Sequence, residues 1–514
     1  MKKVISIILS ITLIFGIIPC CLVTANALSF GEYLTYKIEN NQVTITDCLT
    51  SVEGELVIPE TIENLPVTKI DEAFYGCDKL TSIVIPDTVT SIAYRAFYGC
   101  TALEKITLPF VGETFGGTQN PHFGYIFGAE NHNKNEDYVP QSIKDIVITK
   151  AETIGFCAFY ECKNIESITL PPTLKMVGQA AFEYCYSLKA VYISDLTAWC
   201  SVEFGLENSN PLYKAEKLYL NGQLITDLVI PSGIKKIEEY VFYNCKTLKT
   251  ITLPPSVNDI RYGAFGACTS IEKVMISDLS AWCNISFSDE TGNPAYYSGN
   301  LYLNGKLLTK LVVPKDVKSL RSFTFTGCKS LNEVIMKYDI DDIGISTFED
   351  CTELTNVQFS KKLTGITFSS FKNCYKLESL NFPDTLSNIC DNAFENCTAL
   401  KEIVLPKNVS NIHSCAFKGC SSLESITLPF LGQVKHSQSP THLGRIFGAE
   451  NYSENASYVP KSLKTVNIIN TFSINENDFY GCSNITEVNI YNTSTFTEYC
   501  ISKIEKNAFN GCTI

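Results

Sequence analysis

The chain has 514 residues, 45% hydrophobic and 18% charged, a balance that excludes a disordered polypeptide and calls for a sizeable core. Its net charge of −13 argues against nucleic acid or an anionic membrane surface as a partner, because phosphate binding needs clustered Lys and Arg, and the sequence has no such cluster.

The N-terminus reads Met1-Lys2-Lys3, an apolar run from Val4 to about Val23, then Ala25-Asn26-Ala27. A basic start, an apolar stretch and a small-x-small site describe a secretory signal peptide over residues 1–27, cleaved after Ala27. An uncleaved anchor and lipid attachment at Cys20 or Cys21 are the alternatives. Pro19 and the Ala-x-Ala site oppose the first, and Ile17-Ile18-Pro19 in place of a small residue opposes the second. No later stretch is long and apolar enough to cross a bilayer, so no membrane insertion is expected after signal cleavage.

Residues 28–70 form the next segment. Leu34, Tyr36 and Ile38, then Val43 and Ile45, alternate with polar residues around Asn40-Asn41, which predicts a hairpin. We read it as a cap over the first coil.

From residue 71 to 514 one motif dominates: Ala73-Phe74-x-x-Cys77, Ala96-Phe97-x-x-Cys100, Ala158-Phe159-x-x-Cys162, Ala181-Phe182-x-x-Cys185. It continues at Phe242, Phe265, Phe325, Phe348, Phe371, Phe394, Phe417, Phe479 and Phe509, each followed three residues later by a cysteine. Where nothing is added, successive Phe residues are 23 apart. Between them runs fixed text such as Leu80-x-x-Ile83-x-Ile85-Pro86-x-x-Val89-x-x-Ile92, which suits a short strand burying one side and ended by proline. One such unit cannot bury its own apolar side, so the units must stack as a solenoid whose strands pair in parallel.

The unit closely resembles the BspA-like leucine-rich repeat family of secreted and surface proteins, and Leu34-Thr35-Tyr36 with Leu65-Pro66-Val67-Thr68 is similar to that family's usual start. The resemblance implies a leucine-rich repeat solenoid, a right-handed superhelix with a parallel β-sheet, rich in strand and turn with little helix. It also implies adhesion or partner binding at the cell surface or outside the cell, and it supplies no ligand.

Four Phe-to-Phe intervals reach 60 residues or more, two of 62 and two of 60, giving insertions near 110–146, 194–227, 277–310 and 430–466. The first kind carries Ile126-Phe127-Gly128-Ala129-Glu130-Asn131 and recurs as Ile446-Phe447-Gly448-Ala449-Glu450-Asn451. The second carries Ala198-Trp199-Cys200 and Asn221-Gly222, recurring as Ala281-Trp282-Cys283 and Asn304-Gly305, the dipeptide predicting a two-residue hairpin turn. Insertions in solenoids usually project from one rim, often the binding side. The candidate partner-binding residues are therefore Phe127, Tyr138, Trp199, Trp282, Phe447 and Tyr458. For the tryptophans, their recurrence in matching text favours anchoring the insertion over stacking on a sugar.

The outward strand positions are polar and mixed in sign, Tyr192 excepted, and so offer little anchoring. The thirteen ladder cysteines read as buried thiols, since equivalent residues in stacked coils point their Cβ vectors in parallel, a poor disulfide geometry. Disulfides stay open among Cys48, Cys157, Cys200, Cys283, Cys390, Cys415 and Cys500. Among the five histidines only His122 and His442 match across insertions, and local hydrogen bonding is their expected role. No metal, cofactor or catalytic motif is found.

The expected function is adhesion, or binding of an extracellular protein or glycan, without catalysis. The alternatives are a structural extracellular scaffold and a carbohydrate-active enzyme component. The last repeat stops at Ile514 before its strand, which leaves open self-association through an uncapped end.

Overall fold

The computed structural model describes residues 33–432, 442–469, 473–491 and 503–513. The expected signal peptide, Cys20, Cys21 and Cys500 lie outside the described residues. The chain divides into two compact units, one of residues 1–231, 237–248 and 263–268, the other of 232–236, 249–262 and 269–514.

In both units each coil makes three columns. The first is a parallel sheet. In the first unit it runs through Gly54–Val57, Leu80–Val84, Lys105–Leu108, Asp145–Ile148, Ser167–Thr169, Ala190–Ile193 and Leu218–Leu220. Register is residue on residue: Ile83 pairs with Ile106, Ile106 with Ile146, Ile146 with Ile168, Ile168 with Val191 and Val191 with Leu218, all of them buried. Because side chains alternate across a strand, a slip of one residue would put this whole column into water, and that fixes the register. The second unit repeats the pattern, as in Glu333–Ile335, Asn356–Gln358 and Ser379–Asn381.

The second column is a ladder of two-residue strands, such as Thr153–Ile154, Met176–Val177 and Glu203–Phe204, placing Ile154 and Val177 inside.

The third column is the phenylalanine turn. The Phe74 ring lies 5.0 Å from Phe97 at an interplanar angle of 4°. In the second unit Phe325, Phe348, Phe371, Phe394 and Phe417 stack at 5.3 to 5.6 Å. Burial of each ring contributes about 1.5–3 kcal/mol, and the stacking adds ~0.5–1.5 kcal/mol. The backbones close up at this turn: Phe371 N–H donates to Ala393 O at 2.8 Å and Phe394 N–H to Ala416 O at 2.8 Å. The residue just before each cysteine takes a left-handed backbone, which explains Gly76, Gly99, Asn373 and Asn396 at that place. These asparagines form their own ladder, Asn373 Nδ2 donating to Asp350 Oδ1 at 2.7 Å and Asn396 Nδ2 to Asn373 Oδ1 at 2.8 Å. It ends at Gly419, where a Cβ would come within 2.2 Å of Asn396 Oδ1.

The N-terminal hairpin pairs Leu34–Glu39 with Gln42–Cys48 about Asn40 and Asn41, both at positive φ. Its second strand runs parallel to Leu65–Ile70, extending the second column.

The four long intervals contain further coils of the solenoid, which corrects the expectation of loops projecting from a rim. In the first kind, Lys105–Leu108 pairs directly with Asp145–Ile148 across the added segment. Glu113 O meanwhile accepts from Ile92 N–H at 2.9 Å, Ile126 O accepts from Phe97 N–H at 2.8 Å, and Phe123 N–H donates to Ala158 O at 2.7 Å. The added segment thus supplies a rung to the second and third columns. In the second kind, Ala190–Ile193, Glu203–Phe204 and Leu218–Leu220 sit in the first and second columns like any other coil. A buried asparagine takes over the turn's donation: Asn210 Nδ2 reaches Val241 O at 3.1 Å and Tyr240 O at 2.7 Å. Asn293 does the same to Thr324 O and Phe323 O. The hairpins about Asn221-Gly222 and Asn304-Gly305 pair antiparallel, each closing one sheet segment. The helices are single turns of three to five residues, and no described helix is long and apolar enough to cross a membrane.

Candidate partner-binding surface

Because the added segments are coils, their aromatics divide between core and surface. Phe127 and Phe447 lie on short 3-10 turns, Phe123–Phe127 and Leu443–Phe447, and are 1% and 0% exposed. Trp199 and Trp282 lie on single-turn helices, Leu196–Trp199 and Leu279–Cys283, and are 2% and 1% exposed. These four candidates are core residues and cannot touch a partner. The physical reason is that each added coil needs its own large apolar side chain where the regular coil has its Phe. Phe127 lies 6.1 Å from Phe97, and Trp199 Nε1 donates to Val241 O at 3.1 Å. Tyr138 and Tyr458 are exposed, at 36% and 41%.

The structure brings Tyr138 together with residues that the sequence did not single out. Tyr75 and Tyr98, each next to its turn Phe, are exposed and stack at 5.2 Å on the edge of the first unit, and Tyr138 follows at 6.5 Å from Tyr98. Arg95 lies over both Tyr94 and Tyr98, at 5.1 and 5.6 Å from the ring centroids. Tyr94 Oη donates to Gly128 O at 2.6 Å, tying this edge to the added coil. Gly128 is required here: its φ is 105°, and a Cβ would meet Arg95 Cγ and Tyr98 Cδ2 at 3.1 Å and Tyr138 Cδ1 at 3.4 Å. Beside it Tyr98, Glu130, Lys134, Asp137 and Tyr138 line an open cleft of about 590 Å³. Lys134 pairs with Asp137 at 2.9 Å, and that hydrogen bond holds the Lys134 ammonium above its ordinary pKa. The sequence signal that could have found this edge is the Phe-Tyr pair of Phe74-Tyr75 and Phe97-Tyr98.

The matching coil 320 residues later keeps the interior and changes the surface. Phe447, His442 and Asn455 repeat Phe127, His122 and Asn135, but Lys418 stands at the place of Tyr98, Glu454 at Lys134 and Ser457 at Asp137. In both copies the histidine is buried against its asparagine, Nδ1 to Oδ1 at 3.1 Å for His122 and 2.7 Å for His442, and the same oxygen accepts from Gly124 or Gly444 N–H at 3.1 Å. Burial lowers the pKa of both rings.

A second outward feature crosses the sheet. Thr169, Tyr192, Tyr219 and Leu224 fall on one register line, with the tyrosine rings 4.7 Å apart. Thr252, Met275, Tyr302 and Leu307 repeat the line in the second unit. The sheet face is thus locally apolar where each Asn-Gly hairpin ends it. The described residues hold no group of three or more His, Cys, Asp and Glu placed to bind a metal, and all their cysteines are free thiols.

Stacked parallel strands with one phenylalanine turn per coil define a leucine-rich repeat solenoid, a fold of binding scaffolds that are typically non-catalytic. The chain belongs to the BspA type leucine rich repeat family, whose model matches in six copies over residues 56–117, 135–207, 215–292, 298–424 and 451–514. It is similar to a leucine-rich repeat protein from Bacteroides ovatus, at 23% identity over 85% of this chain and 93% of that one, with a TM-score of 0.36. It is also similar to a leucine rich cell surface protein from Faecalibacterium prausnitzii (21% identity, 82% and 97% covered, TM-score 0.32) and to the pneumococcal vaccine antigen PcpA (18%, 93% and 96%, 0.29). No curated protein matches the sequence. Leucine-rich repeat proteins generally bind other proteins.

Proposed function

We propose that this is a secreted, surface-exposed adhesion protein that binds an extracellular protein or glycan through the tyrosine edge of its first unit. The observation that carries this reading is the exposed Tyr75, Tyr98 and Tyr138 series beside the charged cleft of Glu130, Lys134 and Asp137. Tyrosine offers rigid contact area at little entropic cost, and a cluster next to a polar cleft is the composition of a binding hot spot. The signal-peptide pattern and the surface-protein relative support export. The catalytic alternative has no constellation behind it.

The test is capture of surface proteins and glycan arrays with the mature chain, comparing wild type with Tyr98→Ala/Tyr138→Ala. Saturable binding that falls at least ~10-fold in the double variant is expected, about 1.4 kcal/mol of lost contact. Binding left unchanged by the double variant would place the contact elsewhere, with Tyr192, Tyr219 and Leu224 the next residues to change.

A further inference from the structure

Past Tyr138 the first unit carries a second aromatic series, which shares no residue with Tyr75, Tyr98 and Tyr138. Four successive coils supply it: Tyr160 beside Phe159, Tyr184 and Tyr186 after Phe182, Tyr213 in the coil of Trp199, and Tyr243 beside Phe242. Tyr160 lies 5.3 Å from Tyr184, and Tyr184 lies 5.9 Å from Tyr186. The Lys214 ammonium sits over both Tyr186 and Tyr213, at 5.3 and 4.7 Å from the ring centroids, and Tyr213 is 6.0 Å from Tyr243. Tyr186 is 61% exposed, and the other four rings are half-buried.

The backbone makes room for these rings at a cost. Tyr184 stands just before Cys185 with φ 62°, the left-handed conformation that other coils fill with Gly99, Asn373 or Asn396. A bulky side chain is disfavoured there, and strain of this kind gathers at functional sites. Behind Tyr243, Gly266 has no positive φ to explain it, yet a Cβ on it would come within 2.6 Å of Tyr243 Cδ2 and 2.7 Å of Cε2.

Ring geometry and charge select the occupant. Tyr160 and Tyr184 cross at 84°, an arrangement that covers one of four ring faces, where the stacked Tyr75 and Tyr98 cover two. Uncovered faces suit the C–H face of a sugar ring, and tyrosine holds them rigidly. Lys214 already fills the cation seat on Tyr186 and Tyr213. Glu183 and Glu161 lie close enough to raise the Tyr184 pKa, so an anionic chain would be repelled. Lys163 and Lys246 are paired with Glu136 and Glu216. The occupant is therefore neutral. Coils repeat about every 4.8 Å, close to the rise of one residue in an extended β-linked glycan. A polyproline II peptide rises about 3.1 Å per residue with three residues per turn, so it returns to one face every ~9 Å and would skip alternate coils.

We propose that Tyr160, Tyr184, Tyr186, Tyr213 and Tyr243 form a binding strip for a neutral, extended β-linked polysaccharide, one sugar ring to each coil.

The experiment titrates the mature chain calorimetrically with cellohexaose, mannohexaose and xylohexaose, with a heparin hexasaccharide and decaproline as comparison probes. Saturable binding of a neutral hexasaccharide is expected, weakening at least ~10-fold when that probe is shortened to its disaccharide, since two of the four coils then lose their sugar. Tyr184→Asn should weaken binding at least ~5-fold and raise the melting temperature, because asparagine suits the left-handed backbone. Tyr186→Ala removes an exposed ring and should weaken binding by a similar factor with the melting temperature unchanged. No binding of any neutral hexasaccharide, tighter binding of heparin or decaproline, or full binding in both variants would overturn the proposal. So would binding that is lost in Tyr98→Ala/Tyr138→Ala and kept in Tyr186→Ala, which assigns the sugar to the Tyr98 edge.

Discussion

The thiol of Cys374 donates to the carbonyl oxygen of Phe348 at 3.2 Å, while the backbone N–H of Cys351 donates to that same oxygen at 3.3 Å. Both lone pairs of the carbonyl are thereby used, and from Cys351 through Cys374 and Cys397 to Cys420 the cysteine column is a line of bonds between coils. Cys374→Ala leaves one of those lone pairs unmet and opens a small void. We expect a loss of about 1–3 kcal/mol, measured by denaturant unfolding. A variant as stable as wild type would reduce the thiol to filler.

Alkali should act on the same column. Burial pushes the Cys328 and Cys420 thiols up to about 12, against an ordinary value of 9.0. The sign follows: above pH 9 the unfolded chain releases these protons and the folded chain keeps them, so stability falls as pH rises from about 9 to 12. The slope is about 1.4 kcal/mol per pH unit for each such thiol. Circular dichroism should show cooperative unfolding setting in above about pH 9. An alkaline stability profile that stays flat to pH 11 contradicts the burial of the column.

Much of this was legible because a stacked column demands the same residue at every rung. Phe74, Phe97, Cys77 and Cys100 repeat in the sequence for the reason that their rings and thiols repeat in space. The added coils were not legible as coils, since there a side-chain N–H from Asn210 or Trp199 does what a backbone N–H does elsewhere, and side chains leave no spacing to read. Phe127 and Phe447 misled for a related reason: an aromatic on a buried 3-10 turn has the same local text as one on an exposed loop. Tyr98 carries no signal of its own, because it sits inside the repeat beside the Phe that the stacking requires.

The two tryptophans should respond unequally. Trp199 Nε1 has an acceptor in Val241 O, whereas Trp282 Nε1 is buried with no hydrogen-bond partner. Trp199→Phe forfeits packing and a bond, and leaves Asn210 as the remaining side-chain donor to Val241 O. Trp282→Phe forfeits packing and removes an unmet donor. The first should cost more than the second by about 1–2 kcal/mol in paired unfolding measurements. Equal losses would mean the Trp199 bond contributes nothing net.

Acid should weaken the chain through His122 and His442. Their folded pKa values are lowered by burial, so as pH falls through the ordinary 6.5 the unfolded state takes up protons that the folded state refuses. Stability is full above that value and declines below it. The drop in Tm between pH 7.5 and 5.5 should shrink in His122→Gln and shrink further when His442→Gln is added. A drop of the same size in the double variant would assign acid sensitivity to other groups.

Asn210 offers the sharpest test of the added coils. Its Nδ2 donates to the carbonyls of Tyr240 and Val241, and its Oδ1 accepts from Leu212 N–H at 2.9 Å, all in a buried setting. Asn210→Ala strands one donor and weakens two acceptors, for an expected loss of about 2–4 kcal/mol. Asn210→Asp preserves shape and the Leu212 bond but aims a carboxylate oxygen at two carbonyl oxygens. Geometry alone would rank the aspartate as the milder change. Electrostatics ranks it as the worse one at pH 7, since a buried charge without a donor costs more than a missing side chain. Raising the aspartate pKa by burial also makes its protonated form the better fit, so the Asp variant should lose less relative to wild type at pH 5 than at pH 7, while the Ala variant's loss stays constant. If the two variants instead track each other across that range, Asn210 serves as a space filler and the hand-over between coils rests on Trp199.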